Sequence, residues 1–317
     1  MKNLEALKNA TKGVLVPIMT PFKENQEIDI SGIKKLTRFL IDNGVVKGKG
    51  ALILTGSSGE CPLLSTEERI MIFNLVKEEA KDEVTLFGGC NHSNTREVIE
   101  LVNAAEKAGL DGVMISPTYY WKPTDEEILT HYKAIAAKTN MGIMVYNNWF
   151  ASQYDLSLDI IKKLVNEVPH IISLKENTTN LAKFAKVTDA VGDKIAVLNG
   201  NGPPNEPWTS YMGAKGFITA EACVIPRTFV GIYEAEVNND YEKAKKLLKM
   251  AAPLLDFIFG GIPFGPDYIR RIKASMNFVG LPGGIPRLPL MPVDNEFKDV
   301  IKKIIQSCEL DEVWNEK

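Results

Sequence analysis

Residues 112–146 open with Gly112-Val113-Met114-Ile115-Ser116, pass through Thr124-Asp125-Glu126-Glu127, and close with Gly142-Ile143-Met144-Val145-Tyr146. The two outer runs are short, apolar and bounded by glycine, which is how strands buried on both faces read. The middle tetrad is a capping box, in which a threonine hydroxyl and a glutamate carboxylate serve opposite backbone donors at a helix start. A strand, a helix and a second strand form a parallel pair with a right-handed crossover.

The same unit recurs in both directions. Strand candidates fall at 13–19, 50–55, 84–88, 112–116, 142–146, 171–175, 195–198 and 216–219. Ser65-Thr66-Glu67-Glu68 and Asn94-Thr95-Arg96-Glu97 repeat the capping device, and Asp29 opens a helix before Ile33, Leu36 and Leu40. Gly44, Gly109 and Gly213 mark helix ends. Eight units fit a closed barrel better than an open doubly wound sheet, and Thr20-Pro21-Phe22 after the first strand carries no GxGxxG turn. The expected fold is α/β, a (β/α)8 TIM barrel with a C-terminal helical extension. Residues 1–236 form the barrel with its site. Residues 237–317 carry helices at 241–259, 267–278 and 295–308, packed on the barrel or on a neighbouring subunit.

Composition bounds the function. The chain has 317 residues, 45% hydrophobic and 24% charged, as a globular protein does. Its net charge is -3, from 37 basic and 40 acidic residues, so it lacks the basic balance of a nucleic-acid binder. No apolar run reaches the ~18 residues of a membrane span. Met1-Lys2-Asn3-Leu4-Glu5 has no signal-peptide core, and Cys61, Cys90, Cys223 and Cys308 are scattered, so reduced thiols in a cytoplasm are expected. His92, His131 and His170 show no metal-ligand spacing, and no metal is expected.

Function in such a barrel lies at the C-terminal ends of the strands. In Ile171-Ile172-Ser173-Leu174-Lys175-Glu176, period two places Ile171, Ser173 and Lys175 on one face and Ile172 and Leu174 on the other. If the apolar pair meets the helices, Lys175 points into the barrel mouth, where desolvation frees its amine as a nucleophile. The plain alternative is a lysine that reaches water or pairs with an acid. Met144 and Tyr146 share a face of the fifth strand, so Tyr146 tops the strand beside Lys175 and is either a proton shuttle or a core aromatic. Thr55-Gly56-Ser57-Ser58-Gly59-Glu60 is a tight turn whose backbone and hydroxyls suit a carboxylate. Tyr119 and Tyr120 lie in the loop after the fourth strand, as packing or as part of a relay.

Together these motifs resemble the dihydrodipicolinate synthase/N-acetylneuraminate lyase family of class I Schiff-base aldolases. The likeness runs from about residue 13 to about residue 292. It rests on Gly56-Ser57-Ser58-Gly59-Glu60, Tyr119-Tyr120 with Lys122-Pro123, Tyr146-Asn147, Leu174-Lys175-Glu176 and Arg287-Leu288-Pro289-Leu290. The resemblance implies that Lys175 forms an imine and Tyr146 transfers protons. It implies that Ser57 links Tyr146 to Tyr120, a tyrosine borrowed from the neighbouring subunit in many members. It implies a 2-oxo acid bound by Ser58, with Gly56, Gly59, Asn147 and Ile218 around it. It also implies pyruvate and an aldehyde as substrates, no cofactor beyond the lysine imine, and a homotetramer built as a dimer of dimers.

The departures concern the aldehyde. The synthases carry an arginine in the loop after the catalytic tyrosine, where this chain has Asn147-Asn148-Trp149-Phe150-Ala151-Ser152, with Ala151 at the matching position. Losing it removes a bidentate carboxylate clamp. Asn199-Gly200-Asn201-Gly202-Pro203-Pro204 also differs from the synthase pattern, and Trp149, Phe150 and Trp121 are either a bulkier, partly aromatic pocket wall or surface-loop packing. The expected activity is C–C bond cleavage or formation between pyruvate and an aldehyde, on a 2-keto-3-deoxy sugar acid or related 2-oxo acid. Alternatives are dihydrodipicolinate synthesis from aspartate semialdehyde, sugar-acid dehydration, and a non-catalytic 2-oxo acid sensor.

Overall fold

The structure, a computed structural model, describes residues 3–261, 265–294, 296–308 and 314. Met1, Lys2, Asn295 and parts of the 260–266 and 237–317 segments therefore lie outside the described residues. Eight parallel strands close on themselves in chain order, and β1 pairs with β8 through Gly13↔Gly216, Val14↔Phe217 and Leu15↔Ile218. They are β1 (Gly13–Pro17), β2 (Gly50–Leu54), β3 (Thr85–Gly89), β4 (Gly112–Ile115), β5 (Gly142–Asn147), β6 (Ile171–Glu176), β7 (Ala196–Asn199) and β8 (Gly216–Ile218). Around them run α1 (Leu4–Ala10), α2 (Ile30–Asp42), α3 (Thr66–Ala80), α4 (Thr95–Ala108), α5 (Asp125–Ala136), α6 (Trp149–Ser152), α7 (Leu158–Glu167), α8 (Leu181–Val191), α9 (Trp208–Tyr211) and α10 (Pro226–Val237). The TIM barrel read from the alternation is the observed fold.

Local chemistry explains the ends. Ser65 with Glu68 and Thr124 with Glu127 form complete capping boxes on α3 and α5. The third expected box is a correction. Asn94 caps α4 through Arg96 N, but Glu97 accepts from Thr66 of the neighbouring helix instead of closing the box. Gly109 ends α4 at φ +82°, where a side chain would be strained. The second strand ends one residue earlier than read. Thr55 turns to φ +48°, and its hydroxyl donates to Gly89 O on the adjacent strand.

Two apolar layers result. Leu15, Ala51, Ile53, Phe87, Met114, Met144, Tyr146, Ile172, Leu198 and Ile218 fill the cylinder, and Leu7 of α1 packs with them. The opposite faces, with Ile171, Leu174 and Val145 among them, join the helices in a continuous outer core. This corrects the expected pairing of Ile172 with Leu174. Ile143 pairs with Ile171 and Met144 with Ser173, so a bulge leaves Ile172 as the extra residue. Ile172 turns inward and Leu174 outward.

After α10 come α11 (Tyr241–Phe259), α12 (Asp267–Phe278) and α13 (Glu296–Ser307). Leu254, Ile258, Ile272, Met276, Ile301 and Ile305 belong to the outer core, so this extension packs on the barrel. Polar clamps reinforce it. Buried Lys273 pairs with buried Glu60 and donates to Thr20 O and Ile285 O, each at 2.7 Å. Arg287 N donates to the same glutamate at 2.9 Å, and its guanidinium holds Glu68. Among the described residues no helix is long and apolar enough to cross a membrane, and the four cysteines are buried and unpaired.

Candidate active site

Lys175 is the penultimate residue of β6 and stands beside Tyr146 in the ladder. Above the bulge the period of two holds, so both side chains point into the mouth of the barrel. The amine lies 3.9 Å from the centroid of the Tyr146 ring. Lys175 is only 6% exposed. Burial lowers its pKa to about 7, against an opposing pull from Glu221, so much of the amine is neutral near neutral pH. Gly200 makes this packing possible, because a Cβ there would stand 2.8 Å from Lys175 Cγ.

The phenol of Tyr146 is pushed well above its ordinary range by burial and by Tyr268, while hydrogen bonding from Ser57 opposes the shift. It is a neutral hydroxyl at any working pH. Ser58 Oγ stands 3.5 Å from the hydroxyl of Tyr268, which comes from α12. Glu221, in the turn after β8, is buried and accepts from Thr219, and burial raises its pKa. The cavity over these groups measures about 270 Å³. Its polar lining includes Ser58, Tyr146, Lys175, Glu221, Asp267 and Tyr268, with Phe150, Ile218, Ile258 and Phe259 as apolar walls.

The residues named from the sequence divide into groups. Lys175, Tyr146, Ser58 and Ile218 line one cavity, and Ser57, which does not line it, hydrogen-bonds Tyr146. Gly56 and Gly59 shape the turn without lining the cavity. A Cβ on Gly59 would meet Ile18 O at 2.9 Å. Asn147 does not face the cavity. Its amide donates to Asp155 and Glu176, its carbonyl accepts from Leu156 N, and it is fully buried. Tyr120 is 82% exposed and packs edge-on against Trp121, outside this protomer's cavity. Of the three proposed wall aromatics, Phe150 reaches the cavity, whereas Trp149 donates to Asn177 O and Trp121 is exposed. No arginine lines the cavity among the described residues.

Glu221 and Tyr268 were not anticipated. Glu221 follows strand eight, where reading every strand end would have found it. Tyr268 had no such signal, because it lies on a helix read only as packing.

The mouth of this parallel barrel, where side chains from several strand ends converge, holds a desolvated lysine against a tyrosine. Residues 10–308 match the model of the dihydrodipicolinate synthetase family, and the chain belongs to that family. The 4-hydroxy-tetrahydrodipicolinate synthase of Archaeoglobus fulgidus is 32% identical, over 94% of this chain and 99% of that protein. The one from Methanocaldococcus jannaschii is 33% identical over the same shares. Among solved structures, Escherichia coli K12 YagE, a prophage protein of this family in complex with pyruvate, superposes with a TM-score of 0.87. It is 25% identical, over 94% of this chain and 99% of that one.

Proposed function

We propose that this protein joins pyruvate to an aldehyde, or cleaves the product, through an imine on Lys175. The observation that carries the reading is the buried amine of Lys175, its pKa lowered to about 7 by burial, lying against Tyr146. The amine adds to C2 of pyruvate and the carbonyl oxygen takes a proton. Water then leaves, with Tyr146 passing the proton, and the C2–N double bond forms. The imine draws electrons from C3, which loses a proton to give an enamine. That carbon attacks the aldehyde and forms the new C–C bond. Hydrolysis frees the product and restores the lysine. No metal or organic cofactor enters these steps.

The names of the relatives make aspartate semialdehyde the first aldehyde to test. A second reading, a hydroxylated aldehyde of the kind released from 2-keto-3-deoxy sugar acids, is favoured by the cavity lining. That lining has Glu221 and Asp267 but no arginine among the described residues, which suits a neutral polar partner better than an anion. Exposed Tyr120 suits the family's homotetramer, in which it would enter a neighbour's site. The test measures pyruvate consumption with each aldehyde in turn. Consumption with aspartate semialdehyde alone supports the synthase, and consumption with hydroxylated aldehydes supports the second reading. No consumption with any aldehyde, and no pyruvate released from sugar acids, refutes catalysis.

A further inference from the structure

We propose that Tyr268, on α12 of the C-terminal extension, is a substrate-binding residue whose phenol donates a hydrogen bond to the 2-oxo acid carboxylate beside Ser58. The inference rests on Lys175 being the imine-forming amine, since that anchors the other end of the substrate.

Three observations carry it. First, Tyr268 lines the same cavity as Lys175, Tyr146 and Ser58, although it comes from outside the eight strand–loop units. Second, its hydroxyl stands 3.5 Å from Ser58 Oγ. Hydroxyl pairs that bond fully sit at roughly 2.7–2.8 Å. Ser58 donates to the Tyr268 oxygen over 3.5 Å, a long bond readily exchanged, so both hydroxyls can turn to donate to one shared acceptor such as a carboxylate oxygen. Burial and the neighbouring Glu221 keep the phenol protonated, with its pKa pushed up to about 12, so it remains a donor. Third, the two hydroxyls are locked together from behind. Lys273 lies five residues beyond Tyr268, less than two turns along α12, and Glu60 lies two residues beyond Ser58. The buried Lys273–Glu60 pair joins those neighbours, and Arg287 N holds the same glutamate. The extension thus presents the phenol at a set distance from the turn.

The test is Tyr268→Phe in the full chain, which removes one oxygen and keeps the ring. Borohydride trapping is run across a pyruvate series, and each protein gives a half-saturating concentration and a rate at saturation. The half-saturating concentration should rise about 10- to 100-fold, the effect of losing a hydrogen bond to a charged group. The saturated rate should stay within about threefold of wild type. Pyruvamide, which lacks the carboxylate charge, should show a much smaller rise. An equal penalty for both ligands, or an unchanged half-saturation in a variant that still traps, overturns the role of Tyr268. Wild type that traps no pyruvate instead overturns the imine reading itself. An independent check compares wild type with the variant: pyruvate should perturb the tyrosine ultraviolet difference spectrum, and the Tyr268 part of that signal should vanish in the variant. A signal identical in both proteins overturns the proposal.

Discussion

Replacing Lys175 with Met should make the protein more stable, and the gain should depend on pH. Methionine matches the length of the lysine stem and needs no water. In the folded protein the Lys175 pKa is about 7, against 10.5 in the unfolded chain. Between those values the unfolded state binds the proton that the folded state refuses, so wild-type stability falls as pH drops from 10.5 to 7. Below pH 7 both states are protonated and the penalty is constant. A shift from 10.5 to 7 corresponds to an upper bound of about 5 kcal/mol. Lys175→Met escapes that penalty. Urea unfolding at one protein concentration should show the variant more stable by roughly 4–5 kcal/mol near pH 6.5, about 3 near pH 8, and about 1 near pH 9.5. A difference independent of pH, or a variant less stable than wild type, would refute the claim that burial neutralises this amine.

Tyr146→Phe should slow imine formation about 100-fold or more while leaving the fold intact, measured as the trapping rate at saturating pyruvate. Gly200→Ala puts a Cβ 2.8 Å from Lys175 Cγ and should cut trapping by about tenfold or more, as expected for a small misplacement of a reacting group. A wild-type rate would show that the lysine stem has room to move. Lys273→Met leaves Glu60 buried without its cation and should destabilise the protein by about 3–5 kcal/mol in urea. A change below about 1 kcal/mol would show that this clamp does not hold the extension.

The barrel was legible because each strand is a short apolar run closed by turn residues, and because four helices announce their starts with side-chain caps at Asp29, Ser65, Asn94 and Thr124. The Lys175–Tyr146 pair was legible because alternation holds in the upper half of both strands. The inward turn of Ile172 was not, since a bulge is a property of two strands in register and neither shows it alone. Asn147 was placed around the 2-oxo acid by the family resemblance, through the Tyr146-Asn147 motif, and not by its own chemistry. Its partners, Glu176 on the next strand and Asp155 in the following loop, are tertiary neighbours. Tyr268 escaped notice for the same reason, being 210 residues from the serine it faces.

Whether Lys175 forms the imine is decided by reducing the protein with borohydride in the presence of pyruvate, then locating the adduct by mass spectrometry. The peptide that carries Lys175 should gain the mass of one reduced pyruvate unit, and the gain should be absent from Lys175→Met. An unmodified chain at saturating pyruvate, or an adduct on another lysine, would mean that Lys175 is not the reacting amine.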